Sequence, residues 1–222
     1  MFHSAIRASI AAAAFFTVHS ATAEAQIMRR PVARKPTNWL GANVGIVRAY
    51  ALSDGVTSAT WRFGSGIEYA GRLEHPTRSG ISVGVQGSHA QIPLSYSSGT
   101  SPSCTSCEAT ATVTQFVGLV HYGQGYGFHP VYELSVGAIG YSNFRRESDN
   151  QQITGPSGRT LAADYDLRFA LGYGFGFGLS PTTAIEVLQE VGTILHQTTG
   201  LAASTSNYPR VYVTRLGGKI AF

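Results

Sequence analysis

The sequence has few charges, few cysteines and, after its first residues, no long apolar run. Charged residues make up 13% of the 222 residues, and only two residues are cysteines. No apolar run beyond residue 25 reaches the roughly 18 residues that indicate a transmembrane helix. The net charge is +4, but the basic residues are not gathered in one patch, as a nucleic-acid-binding surface would require.

Glycine and aromatic residues are abundant and occur in alternating patterns. The chain contains 26 glycines, 11 tyrosines and 11 phenylalanines. Eight segments place apolar side chains at every second position, with polar side chains mostly on the opposite face. Such segments, in a chain with few charges, are typical of transmembrane β-strands. The eight segments are 39–47, 59–70, 80–90, 112–122, 131–141, 161–179, 184–196 and 211–222.

Two of these segments show how the faces are assigned. Segment 161–179 has eight large apolar residues on one face and a run of four glycines on the other. Glycines at inward positions leave room in a narrow barrel for larger side chains from neighbouring strands. In segment 59–70 the same rule predicts that Trp61 and Phe63 face outward and that Arg62 faces inward.

Residues 1–25 have the pattern of a cleavable signal peptide. Arg7 supplies positive charge, residues 8–18 form the apolar stretch, and small residues predict cleavage after Ala23 or Ala25. An uncleaved anchor helix is the alternative, but the apolar stretch is short for a membrane span. We therefore predict export, with the mature chain starting near residue 26.

Residues 26–37 are basic and contain Pro31 and Pro36, which predicts an extended periplasmic tail. A solvated tail is favoured over one that touches anionic head groups. Residues 38–222 then form one barrel domain. With the first strand rising from the periplasm, the connections 71–80, 123–129 and 180–183 become periplasmic turns, and 50–58, 91–111, 142–160 and 197–210 become outer loops.

The last strand ends the chain on an aromatic residue. Tyr212, Leu216, Ile220 and Phe222 share its apolar face. With the signal peptide, the eight segments and the unequal connections, it makes residues 38–222 resemble the OmpA/OmpX-type family of eight-stranded outer-membrane β-barrel proteins. The resemblance implies an all-β, antiparallel, up-and-down transmembrane barrel in the outer membrane. It also implies that these four residues form the carboxy-terminal signal that the outer-membrane assembly machinery recognises.

The alternation predicts a charged lumen, because Arg or Lys facing lipid costs about 2–4 kcal/mol at the midplane. Glu186 and Glu190 precede Arg215 and Lys219 by one strand, which predicts a buried ladder of ion pairs. Such a network is a structural plug, a narrow path for ions or solutes, or a ligand pocket, and we favour the plug. Arg48 is the exception, at the outer end of its strand and within reach of head groups. The predicted lumen charges are Arg62, Glu68, Glu133, Asp164, Asp166, Arg168, Glu186, Glu190, Arg215 and Lys219.

Cys104 and Cys107 form a C-x-x-C motif in the second outer loop. In an exported protein two cysteines this close predict a disulfide. A thioredoxin-like redox site would need a βαβ context, and a zinc site would need two further ligands. We therefore predict a disulfide that shapes the tip of the loop.

No catalytic, cofactor or metal site is predicted. His196, near Glu190, Thr198, Thr199 and Ser204, invites comparison with barrel enzymes that deacylate lipid A. The alternation of segment 184–196 places His196 inward, away from the acyl chains of the lipid. We therefore interpret it as a histidine at the barrel rim. The other histidines, His75, His89, His121 and His129 among them, have no metal-ligand spacing.

The sequence thus predicts a structural or surface-interaction role in the outer membrane. A narrow porin-like channel is the first alternative, followed by a lipid A-modifying enzyme. A soluble lipocalin-like barrel is disfavoured by the outward aromatic residues. Predicted partners are outer-membrane lipids, lipopolysaccharide and the assembly machinery, with no nucleic acid. The partner of the loops is left open.

Overall fold

The structure is a computed structural model of the chain. It describes residues 38–55, 58–77, 80–98, 101, 103–123, 125–154, 164–196 and 207–222. All of them belong to one compact unit, residues 35–222. The signal peptide and the tail predicted for residues 1–37 lie outside the described residues. Within the described part of the chain, no helix has the length and apolar character of a membrane span.

The described residues form ten β-strand elements and one antiparallel sheet. The sheet closes on itself because β1 pairs with both β4 and β10, while β5 pairs with both β4 and β6. The elements are β1 Trp39–Val47, β2 Tyr50–Asp54, β3 Ala59–Phe63, β4 Gly66–Pro76, β5 Ile81–Ser98, β6 Ser106–Tyr122, β7 Gly127–Arg146, β8 Asp164–Ser180, β9 Thr183–Leu195 and β10 Arg210–Ala221.

Ten elements make eight strands because two strands are interrupted. β2 continues β1, and β3 continues into β4. The β2–β3 pairing keeps the register of the β1–β4 pairing, so each break lies within one strand. The architecture is therefore a closed, eight-stranded, up-and-down antiparallel barrel, and the predicted fold class is confirmed. Residues 77–80, 123–126 and 181–182 connect strands at one end, which we call the short-turn end. The opposite end, with connections at 55–58, 99–105, 147–163 and 196–209, is the long-loop end.

The outer surface carries a broad band of exposed apolar side chains. Most members are 40–72% exposed, which a water-soluble protein would not tolerate over so large an area. We call this band the apolar belt. It consists of Leu40, Val44, Ile46, Ile67, Tyr69, Leu73, Val83, Val85, Phe116, Val120, Tyr122, Phe128, Tyr132, Leu134, Val136, Tyr165, Leu167, Phe169, Leu171, Tyr173, Phe175, Phe177, Leu179, Ile185, Val187, Leu195, Leu216, Ile220 and Phe222.

The faces predicted for β3 are wrong. Trp61 and Phe63 were expected to face outward, but each is only 2% exposed and points into the barrel. Arg62, expected in the lumen, is exposed on the outer surface. The neighbouring β4 keeps its predicted parity, with Ile67 outward and Glu68 buried. The two halves of this strand therefore present opposite parities.

The reason is a one-residue irregularity between β3 and β4. Along β5, Phe63 pairs with Leu94, whereas Glu68 pairs with Ala90. Five residues on the β3–β4 side therefore match four on β5, which is a β-bulge at residues 64–65. One extra residue moves every following side chain to the other face. The alternating sequence pattern alone does not show where such an extra residue lies.

Several strands are also longer than predicted. β5 runs to Ser98 and β6 begins at Ser106, so most of the predicted loop 91–111 is paired strand. β4 continues to Pro76, beyond its predicted end at residue 70. The extra length at the long-loop end extends the barrel above the apolar belt.

The interior of this extension is an apolar core. Its side chains are almost fully buried, and Trp61 lies among Phe63, Tyr141 and Phe144 with ring centroids 4.8–6.5 Å apart. We call this core the apolar cap. It consists of Val47, Tyr50, Leu52, Ala59, Trp61, Phe63, Ala90, Ile92, Leu94, Tyr96, Cys104, Ala109, Ala111, Val113, Ile139, Tyr141, Phe144, Ile153, Ile194, Val211 and Val213.

Candidate functional site

The lumen below the apolar cap is filled with charged side chains. Eight of the ten predicted lumen charges are buried inside the barrel. Arg62 lies outside, as described above, and the side chain of Asp164 is not among those described. The structure adds Arg72, Glu74 and His121, each at most 6% exposed.

Arg215 is the centre of the first cluster. Its Nε donates to Glu68 Oε1 over 3.0 Å, and its Nη1 donates to Glu190 Oε2 over 2.5 Å. Arg168 makes a second ion pair with Glu190. Gln115 Nε2 donates to the other oxygen of Glu68 over 2.6 Å. Five strands therefore meet at this cluster, in the middle of the barrel.

The second cluster lies toward the short-turn end. Arg72 pairs with Glu74 on its own strand and lies 3.2 Å from Glu133 Oε2. A third carboxylate, Glu186, is 3.8 Å from Arg72 Nη1. Ser82 donates a hydrogen bond to Glu74. One guanidinium thus connects carboxylates from three strands.

His121 joins the two sides of the second cluster. Its Nδ1 is 3.3 Å from Glu133 Oε2, and its Nε2 is 3.3 Å from Glu186 Oε1. Lys219 pairs with Glu186 and also places Nζ 3.1 Å from His121 Nε2. The imidazole is therefore surrounded by both signs of charge.

The strand register explains the ion pairs expected between β9 and β10. Glu190 pairs in register with Val213, two residues before Arg215, and Glu186 pairs with Gly217, two residues before Lys219. Such diagonal neighbours share one face at about 7–8 Å, within reach of long side chains. The structure brings together both of these pairs.

Arg72 and Glu74 were missed because the predicted strand stopped at residue 70. They continue the even-numbered inward face of Glu68, so extending the same alternation would have found them. His121 also lies at an inward position of its strand. Its place in the alternation of β6 is the signal that assigns it to the charge network.

The network nearly balances its charge. Breaking one partner of such a buried network leaves an uncompensated charge and costs about 3–5 kcal/mol. The arrangement is therefore suited to filling and fixing the lumen. Its members are the cations Arg72, Arg168, Arg215 and Lys219, the carboxylates Glu68, Glu74, Glu133, Glu186 and Glu190, and the intervening His121.

A separate polar group lies at the rim of the apolar cap. His196 Nδ1 is 2.8 Å from Asp166 Oδ2, and its Nε2 is 3.9 Å from Asp54 Oδ1. The Trp61 ring lies 5.6 Å away, centroid to centroid. The carboxylate beside His196 is thus Asp166 and not Glu190. Thr198, Thr199 and Ser204 lie outside the described residues. The described residues contain no cluster that could bind a metal ion.

Cys104 and Cys107 are joined in a disulfide with Cα atoms 5.9 Å apart. Cys107 pairs with Tyr96 at the start of β6, so the bond closes the tip of the β5–β6 hairpin. Ser103 Oγ accepts a hydrogen bond from the backbone N–H of Thr154 over 2.8 Å. The hairpin tip is thereby held to the next long connection.

That connection is braced by a surface ion pair. Arg146 Nε donates to Asp149 Oδ1 over 2.9 Å, and Arg146 Nη1 donates to the carbonyl of Ser103 over 2.9 Å. The hydrogen bonds from Arg146 hold the pKa of the Asp149 carboxyl below its ordinary value. The side chains of Arg146 and Asp149 are 30% and 35% exposed, so water screens the pair.

The predicted assembly residues share the outer face of β10. Leu216, Ile220 and Phe222 are 52%, 55% and 63% exposed, and Tyr212 is half-buried on the same face. Their recognition by the assembly machinery stays a prediction.

Solved structures of other proteins share this fold. The chain is similar to the Neisserial surface protein A (NspA), with a TM-score of 0.54 and 10% identity, over 84% of this chain and 97% of that one. OprG from Pseudomonas aeruginosa aligns with a TM-score of 0.49 and 12% identity, over 85% and 97% of the two chains. No family model and no curated protein sequence matches the chain. From its closed barrel, its apolar belt and the likeness to NspA, the chain has the fold of the small eight-stranded outer-membrane β-barrel proteins.

Proposed function

We propose that this protein is a closed membrane barrel that presents its long-loop end for surface interactions, and that it neither transports solutes nor catalyses a reaction. The observation that carries the proposal is that two different fillings occupy the barrel interior in series. The charge network occupies the part inside the apolar belt, and the apolar cap occupies the part above it.

The charge network supports a plug because its side chains bridge the lumen. Arg215 reaches Glu68 across two strand boundaries, and Arg72 reaches Glu133 and Glu186 on the far side. An eight-stranded barrel has an interior just wide enough for side chains to fill. Ion pairs that span such an interior leave little room for a hydrated ion.

The apolar cap supports closure for a different reason. Leu52, Ile92, Leu94 and Ile194 are at most 2% exposed in its interior. An ion that crossed this layer would lose its hydration without gaining a polar partner, since hydrophobic constrictions close pores by excluding water. The cap is therefore the stronger barrier of the two.

The outer face of the same extension is polar. Ser95 Oγ donates to both carboxylate oxygens of Glu108, at 3.0 and 3.1 Å, and both residues face away from the cap. The disulfide-closed hairpin tip extends this surface. A rigid polar surface raised above a membrane suits contact with molecules outside the cell or with lipopolysaccharide. The assembly machinery would read the outer face of β10.

A narrow channel is the second candidate, favoured by one observation. Four buried polar atoms, Arg168 Nε and Nη1, Ser88 Oγ and Ser135 Oγ, have no hydrogen-bond partner among the described residues. Buried polar groups without a protein partner commonly bind water. Water beside these groups would hydrate part of the lumen, below the cap.

The enclosure of the histidine–carboxylate group at the cap argues against catalysis. The side chains of His196 and Asp166 are 0% and 4% exposed. They point into the barrel, whereas the acyl chains of a lipid substrate lie against its outer surface.

The test is single-channel recording of the refolded protein in planar bilayers. The wild type is expected to be silent. Arg215→Ala and Trp61→Ala each weaken one of the two barriers and are expected to stay silent, whereas the double variant shows brief openings. Val136→Ala, on the lipid-facing side of β7, is the control and behaves as the wild type. Steady current through the wild type would contradict the proposal and favour the channel.

A further inference from the structure

Three exposed arginines lie on neighbouring strands at the long-loop edge of the apolar belt. They are Arg48 after β1, Arg62 on β3 and Arg210 at the start of β10. None of them has a carboxylate within 4.0 Å among the residues that the structure describes. Every buried arginine and lysine of the lumen, in contrast, has at least one.

The backbone places two of these arginines side by side. The N–H of Arg48 donates to the carbonyl of Tyr212 over 2.9 Å. Arg210 lies two residues before Tyr212 on the same face of β10. Diagonal neighbours of this kind are about 7–8 Å apart, a distance that two arginine side chains span around one anion. Arg62 lies on β3, which flanks the β1–β2 strand on the side opposite β10. It is closer to the loops than the other two arginines.

Their height on the barrel matches the boundary of the belt. Ile46, two residues before Arg48, is 58% exposed and belongs to the belt. On β10 the belt ends below Tyr212, and Arg210 follows toward the loops. Tyr208, still closer to the loops, is 58% exposed. Exposed tyrosines and cations beside an apolar belt are typical of the head-group region of a membrane.

We propose that Arg48 and Arg210, with Arg62 above them, bind the phosphate of an anionic lipid head group in the leaflet at the long-loop end. The inference rests on the proposed function of a closed barrel that sits in a membrane. Guanidinium groups bind phosphate through paired, charge-assisted hydrogen bonds. The acyl chains of the same lipid lie along the apolar belt below the arginines, which holds the phosphate at this height.

The test is native mass spectrometry of the refolded barrel in mixed micelles, with phosphatidylglycerol as the anionic probe and phosphatidylcholine as the neutral one. The wild type is expected to retain phosphatidylglycerol in preference to phosphatidylcholine. Arg48→Gln/Arg210→Gln is expected to lower the apparent association constant for phosphatidylglycerol about fivefold and to leave that for phosphatidylcholine unchanged. Arg145→Gln, on the upper part of β7, is the matched control and keeps the wild-type preference.

Two outcomes would overturn the inference. One is equal retention of phosphatidylglycerol by the wild type and the double variant. The other is displacement of phosphatidylglycerol by inorganic phosphate, which would show a site for the free anion. Insertion into vesicles of the same lipids is measured in parallel. A barrel that inserts without lipid preference fails only this inference, whereas one that does not insert fails the proposed function.

Discussion

Arg215→Ala is expected to lower the free energy of unfolding by about 3–5 kcal/mol. This is the cost of removing one partner of a buried ion pair and leaving the other charge buried. Arg215 is 3% exposed and is hydrogen-bonded to both Glu68 and Glu190. Its removal leaves Glu68 without a cationic partner, while Glu190 keeps Arg168. The measurement is urea-induced unfolding in detergent micelles, followed by circular dichroism.

Two variants separate this explanation from a simple loss of volume. Arg215→Met/Glu68→Gln removes one charge of each sign and is expected to recover at least about 1.5 kcal/mol of the loss. Arg62→Ala, an exposed arginine on the outer surface, is the matched control and is expected to change stability by less than about 0.5 kcal/mol. A loss at Arg62 as large as that at Arg215 would show that the assignment of faces is wrong.

Trp61→Ala is expected to lower the free energy of unfolding by about 3–5 kcal/mol, because it empties the centre of the apolar cap. The indole is buried and contacts Phe63, Tyr141 and Phe144. Trp61→Phe keeps most of the apolar volume and is expected to lose much less. The same urea titration measures both variants.

The control for Trp61 is an aromatic residue on the lipid side. Phe175 is 53% exposed, so Phe175→Ala removes no core packing and is expected to destabilise the barrel far less than Trp61→Ala. If the two variants were equally destabilising, the cap would not be the packed core that the structure shows.

Most of the fold was predictable because the membrane enforces alternation. In β8 the inward positions carry charges, glycines and the small residue Ala170, while the outward positions carry large apolar residues, because lipid surrounds the outer face. The same rule predicted that Glu190 and Arg215 lie near each other, and the register places them so.

The failures come from the part of the barrel above the belt. There the constraint reverses: the inside is apolar, as at Trp61 and Leu94, and the outside is polar, as at Arg62 and Ser95. Trp61 and Phe63 would face lipid only if the strand stayed in the membrane without a bulge. The serine- and threonine-rich segment 91–111 resembles a loop in composition, and only its pairing with a neighbouring strand shows that it is mostly sheet.

The apolar cap could not be predicted from the charged residues of the predicted lumen network. Its members come from strands that are far apart in sequence, such as Leu52, Ile139 and Val213, and are joined only when the barrel closes. Local patterns show which face each residue occupies, but not what lies opposite it across the lumen. The proposed closure of the barrel therefore depends on the three-dimensional structure.

The most direct test of the central claim, a barrel sealed from water inside and surrounded by lipid outside, is cysteine labelling in vesicles with a water-soluble maleimide. Ser135 and Val136 are adjacent on β7, the first 2% exposed inside the lumen and the second 44% exposed in the belt. Ser97, exposed near the end of β5, serves as the reference for full reactivity, and Cys104 and Cys107 are already bonded. We expect Ser97→Cys to react and both Ser135→Cys and Val136→Cys to stay unlabelled. Labelling of Ser135→Cys as fast as Ser97→Cys would contradict the sealed lumen, and labelling of Val136→Cys would contradict the lipid contact.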